Sequence, residues 1–150
     1  MPGVILSSDI RLTGKIDKLE FLGDKGEVNV VDYKTGKPKT RGYVEGSTKN
    51  SEGDIKRQII FYKLLLDNYP STGSGQAQPK YKMVSATIDF VEPDDKGKYK
   101  QEQFTAMKEE EQELIDLIKK VSAEILNLDF WDKTCDDKDC EFCALRQMMG

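Results

Sequence analysis

The stretch Gly14-Lys-Ile-Asp17-Lys-Leu-Glu-Phe-Leu-Gly23-Asp-Lys-Gly26-Glu-Val-Asn-Val-Val-Asp32-Tyr-Lys34-Thr-Gly36-Lys37 decides how this chain is read. Gly23-Asp24-Lys25-Gly26 is turn chemistry: two glycines tolerate positive φ, and the Asp can bond its own backbone. Apolar residues flank it at strand spacing, which predicts a β-hairpin. With those four residues as the loop, Leu22 pairs with Glu27, and Asp17 falls opposite Asp32. Opposed Cβ atoms on paired strands lie roughly 4.5–5.5 Å apart, and two carboxylates that close repel one another. A divalent cation between them removes the repulsion, and oxygen ligands suit Mg2+ or Mn2+. Alternation puts Asp32 and Lys34 on one face together with Val28 and Val30, with Leu19 and Phe21 across from the valines. The alternative is a solvated strand end with three ordinary charges. The apolar half of the same face argues against it, because that half must be buried.

Ile16-Asp17, a hairpin length, and then Val31-Asp32-Tyr33-Lys34-Thr35-Gly36 resemble the active-site signature of the PD-(D/E)xK nucleases. The resemblance is to the RecB-like nuclease domain found at the C-terminus of many UvrD/Rep-like helicases. It implies an α+β domain with a restriction-endonuclease-like core, in which helices flank a central mixed sheet. It also implies that Asp17 and Asp32 bind Mg2+ or Mn2+, that Tyr33 adds its main-chain carbonyl, and that Lys34 is catalytic. The implied activity is phosphodiester hydrolysis. The implied partners are DNA and the helicase domains of the same polypeptide or complex, in repair or recombination. No phosphate-binding loop of the Walker type occurs in the sequence, so an ATPase motor is expected elsewhere. The family usually places a metal-binding His or Glu on a helix before the first strand. This sequence has no histidine, and only a few residues precede that strand. Little activity in Mg2+ and weak activity in Mn2+ are therefore expected, and the rival reading is an inactive DNA-binding or protein-docking domain on the same fold.

The 150 residues suit one domain, residues 1–150, expected to be part of a larger helicase–nuclease. A net charge of −4 excludes a globally basic nucleic-acid binder. A local basic strip survives in Lys34, Lys37, Lys39 and Arg41, and Lys37 and Lys39 are the candidates for phosphate contact. No run is long enough to span a membrane, and residues 1–30 lack a signal-peptide core, which together with three cysteines predicts a reducing cytoplasm.

Val4 to Leu12 reads as a first strand and Thr35 to Gly53 as a mobile loop. Asp54 is a plausible N-cap for a helix running to Tyr69, with Ile55, Ile59, Tyr62 and Leu66 as its stripe and Pro70 as its stop. Gln58 and Tyr62, four apart, share a face of that helix. Gln58-Ile-Ile-Phe-Tyr62 resembles the family's Q-x-x-x-Y motif, which implies that both residues line the site and position nucleic acid. Ser71 to Pro79 is a loop. Tyr81 to Val91 alternates as a strand, with Met83 predicted opposite in facing to Ala86 and Ile88. Pro93 to Gly97 turns into a polar edge strand, Lys98 to Phe104. Glu109 to Leu128 is a helix with Leu114, Ile118, Val121 and Ile125 as its stripe.

The tail, residues 129–150, holds Cys135, Cys140 and Cys143 after Phe130-Trp131. Some RecB-like nucleases staple their termini with an iron–sulfur cluster, using one cysteine before the core and three in a C-x2-C-x5-C tail. Here Met149 stands at the last of those positions and no cysteine precedes Cys135. Three reduced thiols are therefore expected, with Trp131 and Phe142 packing the tail down. A bound iron–sulfur cluster or Zn2+ is the alternative.

Overall fold

The computed structural model describes residues 3–69, 80–129, 131, 133, 135 and 139–149. Pro70, the loop expected over Ser71–Pro79 and Phe130 lie outside them. The chain divides into two compact units, one running to Asp116 and one from Leu117 on.

The first unit opens with a small hairpin, β1 (Val4–Ser7) and β2 (Ile10–Leu12), which forms a sheet of its own. The single strand expected over Val4–Leu12 is thus two, because the chain turns at Ser8-Asp9. The main sheet has the order β3 (Lys18–Phe21), β4 (Glu27–Lys34), β5 (Lys82–Phe90), β6 (Lys100–Phe104). β3 and β4 form the hairpin in the expected register, Phe21 with Val28 and Lys18 with Val31. The Leu22 amide closes the turn on the Glu27 carbonyl at 2.8 Å. Gly26 has φ +75°, and a Cβ there would sit 2.9 Å from the Lys80 carbonyl oxygen, so both conformation and space require glycine.

β4 and β5 run parallel, which requires a long crossover. That crossover carries α1 (Arg41–Val44) and α2 (Asp54–Asp67). The expected loop over Thr35–Gly53 therefore contains a helical turn, capped by the Thr40 hydroxyl, which accepts from the Tyr43 amide at 3.2 Å. Gly53, in the left-handed conformation, precedes α2; Asp54 is inside the helix rather than its cap. The α2 stripe meets the sheet as its period demands: Ile59, Tyr62 and Leu66 join Val28, Val30, Ala86, Ile88 and Phe90 in one buried core. β6 pairs antiparallel with β5 and forms the edge. The result is a mixed four-stranded sheet flanked by helices, an α+β fold.

Two facings differ from simple alternation. The β4–β5 register skips Val84, pairing Val28 with Met83 and Asn29 with Ser85. This bulge turns Met83 into the core beside Ala86 and leaves Val84 exposed. Phe21, expected in the apolar half of the hairpin face, is 62% exposed, its ring 6.1 Å from that of Tyr81.

α3 (Lys108–Leu126) begins in the first unit, where Leu114 is buried. The stripe then fades: Ile118 is half-buried, and Val121 and Ile125 are exposed. The second unit contains the rest of α3 and α4 (Glu141–Met149), and none of its described residues is buried. Trp131 and Phe142, expected to pack the tail, are 67% and 82% exposed. No helix among the described residues is long and apolar enough to cross a membrane.

Candidate active site

β4 delivers the central acid. Its residues Val28 to Asp32 are all buried, so Asp32 sits at the deep end of an apolar strand, 2% exposed. An isolated carboxylate there would be costly, and the fold surrounds it with partners. Two residues on, and so on the same face, Lys34 places its Nζ 2.9 Å from Asp32 Oδ2. The Tyr62 hydroxyl donates to Asp32 Oδ1 at 2.8 Å, and Gln58 Nε2 reaches the same oxygen at 3.2 Å. Gln58 Nε2 also donates to the Tyr62 oxygen at 2.6 Å, while its Oε1 accepts from Lys34 Nζ at 2.5 Å. The amide thus bridges acid, lysine and phenol from one turn of α2. Burial, and then the carboxylate it faces, hold the Tyr62 phenol well above its ordinary value, so it remains a donor. The Tyr62 ring packs in the core, and its hydroxyl reaches the acid.

Asp17 enters differently. The β3–β4 ladder ends at Lys18–Val31, one residue short of the Asp17–Asp32 rung. Asp17 lies exposed just before β3, and its Oδ2 accepts from the Tyr33 amide at 3.0 Å. The carboxylate continues the hydrogen-bond ladder where β3 has stopped. The expected arrangement, in which the two acids oppose one another across a regular pair, is replaced by a side chain bonded to the backbone one residue beyond Asp32.

A cavity of about 150 Å³ beside this cluster is lined by Lys34, Lys37, Lys39, Tyr43 and Phe90, among others. The three lysines of the sequence motif are therefore gathered at one opening. Lys37 is ion-paired with Asp95, and Lys39 lies over the Tyr43 ring, 5.1 Å from its centre. Farther along the basic strip, Lys56 is tied to Glu110 at 2.5 Å and Arg57 to Asp54 at 3.4 Å. Sequence reasoning missed Glu92, whose Oε1 accepts from the Gly36 amide at 2.8 Å and ties down the turn after Lys34. It also missed Asn29, which bonds Glu20, Thr87 and Ser85 from the middle of β4. Only Asn29 left a signal, as a polar residue between two valines of a buried strand.

A family profile described as the PD-(D/E)XK nuclease superfamily matches residues 3–148. The chain belongs to the PD-(D/E)XK nuclease superfamily. No curated protein and no solved structure matches it. Members of this superfamily are divalent-metal nucleases, and the fold described above is of their kind. The donor set passes the chemical test for such an ion. Asp17 and Asp32 offer carboxylate oxygens, the hard ligands Mg2+ and Mn2+ take. Asp32 Oδ2 is buried, and among the described residues the charge that faces it is the Lys34 ammonium, 2.9 Å away.

In the second unit the three cysteines come together. The sulfurs of Cys135, Cys140 and Cys143 lie within 4.8 Å of one another, with Cys135 and Cys143 3.4 Å apart, and none forms a disulfide. The Cys143 amide, then the neighbouring thiols, pull the Cys140 thiol down to about 7.

Proposed function

We propose that this PD-(D/E)XK domain is a Mg2+- or Mn2+-dependent deoxyribonuclease acting within an ATP-dependent helicase and repair protein. The observation that carries the nuclease reading is the buried Asp32 with the Lys34 ammonium 2.9 Å away and Gln58 bonded to both. The helicase association is supported by the RecB-like form of the Gly14–Lys37 signature. Asp17 and Asp32 would hold the ion. Tyr33 joins them through its carbonyl: in an extended strand a residue's N–H and C=O share an edge. The Tyr33 amide points to Asp17, so its carbonyl faces out past the end of β3 on the same side. Such an ion, when bound, polarises the scissile phosphate and lowers the pKa of the attacking water.

The chain's own residues do the rest. Lys34 presents ammonium donors at the mouth of the lysine-lined cavity, where they neutralise the charge growing on the phosphate. Gln58 aims that ammonium through its Oε1. Tyr62 fixes the Asp32 carboxylate, so it is a positioning residue. Lys37 and Lys39 meet the nucleic-acid backbone and steer it to the opening.

The test is cleavage of end-labelled single- and double-stranded DNA in Mn2+ and Mg2+, beside filter binding of the same DNA. Mn2+ should outperform Mg2+, and Lys34→Ala should lower the rate roughly 10²–10⁴-fold while DNA binding persists. DNA that binds but stays intact in both metals, from this chain and from one extended upstream, replaces this reading with the DNA-holding one.

A further inference from the structure

We propose that Cys135, Cys140 and Cys143 bind a single Zn2+ ion as three thiolates, with a fourth ligand completing the tetrahedron, and that they do not carry a cubane iron–sulfur cluster. The spacing of the sulfurs decides between the two. Zinc–thiolate bonds of about 2.3 Å directed to tetrahedral corners set the sulfurs roughly 3.8 Å apart. The three sulfurs here lie within 4.8 Å of one another, and the closest pair is 3.4 Å apart. In a four-iron cubane each thiolate sits on its own iron and points away from the cluster's centre. That spreads the sulfurs more widely than one ion does and requires room between them for sulfide.

Ligand type agrees. The three donors here are all cysteine thiolates, a ligand type that zinc takes at the corners of a tetrahedron. The backbone supports a thiolate site. Cys140 immediately precedes α4, its carbonyl accepting from the Ala144 amide at 3.0 Å, and Cys143 follows in the first helical turn. Amides at a helix start favour negative sulfur. Cys135, which lies outside the family's spacing, supplies the third sulfur.

The second unit also has a physical need for such an ion. None of its described residues is buried, and Trp131, Phe142 and Leu145 are all exposed. A small unit with no buried side chain among its described residues gains from a staple, and metal binding then becomes folding free energy.

The experiment uses the whole chain. Protein purified under reducing conditions should contain one zinc per chain and neither iron nor acid-labile sulfide. After chelation, one equivalent of Co2+ should give thiolate charge-transfer absorption and the intense visible bands of a tetrahedral site, and Zn2+ should bleach them. Zn2+ should also shield all three thiols from a chromogenic disulfide reagent, a readout on the unaltered chain. Cys135→Ser should weaken Co2+ binding beyond the 10–100-fold typical of losing an outer partner. Stoichiometric iron and sulfide, the pale spectrum of six-coordinate Co2+, or a Cys135–Cys143 disulfide that after reduction takes up no zinc would each overturn the proposal.

Discussion

The oxygen-lined end of the sheet and the sulfur-lined tail are both candidate ion sites, and they are built in opposite ways. At the sheet end Asp32, Gln58 and Tyr62 hang from elements whose adjoining residues include buried ones. Val30 and Val31 flank Asp32 on its amino side, and Ile59 lies between Gln58 and Tyr62. The charges there already answer one another: acid, ammonium, amide and phenol form one bonded set. In the tail, the sulfurs sit on a short helix and its approach, with exposed apolar side chains around them. The first site is held by a core and exists before any ion arrives. The second has no buried side chain among its described residues and, on the zinc proposal, depends on what it binds.

The largest effect should come from cutting into the core on one side of this contrast. Phe90→Ala removes a fully buried ring from the end of β5 and should cost about 3–5 kcal/mol. Phe142→Ala, at 82% exposure, should stay within about 0.5 kcal/mol. Chemical denaturation of both variants checks this, and a similar loss for Phe142→Ala would mean the tail owns a packed core after all.

A smaller effect separates the two acids. If carboxylate repulsion governed the hairpin, deleting either acid would stabilise the apo protein. The structure reverses that expectation for Asp32, because Asp32→Ala leaves the Tyr62 hydroxyl buried without its acceptor and Lys34 without its counter-ion. The expected loss is about 1–3 kcal/mol, against 1 kcal/mol or less for the exposed Asp17→Ala at roughly one hydrogen bond. Thermal melts in chelator decide it; a more stable Asp32→Ala would show that repulsion wins.

The smallest effect isolates burial from partnership. Glu111 is a buried acid in the first turn of α3 whose side-chain hydrogen bond is from Asn68, at 3.3 Å. Burial pushes its carboxyl up. The folded chain therefore holds that proton more tightly than the unfolded one, and stability falls as pH rises from about 4.5 through the raised value. Glu111→Gln should raise the melting temperature at pH 7 by a few degrees at most, the scale of ~1 kcal/mol or less. The gain should vanish below pH 4; a gain that persists in acid would assign it to packing.

The same contrast explains what could be read in advance. Turn glycines and alternation specify the β3–β4 register, because a slip by one residue would turn Val28 and Val30 to solvent. The i, i+4 spacing places Gln58 over Tyr62 with no tertiary knowledge. What escaped depends on distant chain. The bulge at Val84 is a property of the β4–β5 pairing, not of β5. Nothing local announces that Glu92 will meet Gly36. The period of α3 marks an apolar face but does not say what covers it, and Val121 and Ile125 are exposed. Spacing rules treat cysteines as a pattern along the chain, so they offered Cys135, Cys140 and Cys143 as a possible metal set without the 3.4 Å approach of Cys135 to Cys143.

The Lys34–Asp32 ion pair has a consequence for affinity. An ammonium already sits against the acid's buried Oδ2, on a tether of two residues, and short tethers give effective concentrations in the millimolar range or above. A divalent ion reaching Asp32 Oδ2 competes with that resident cation, so its measured affinity is a difference between two binding events. Shortening Lys34 removes the competitor, and Lys34→Ala should bind Mn2+ more tightly than the parent chain even as its catalysis fails. The lysine that serves the reaction is, in the resting protein, the occupant the metal has to evict.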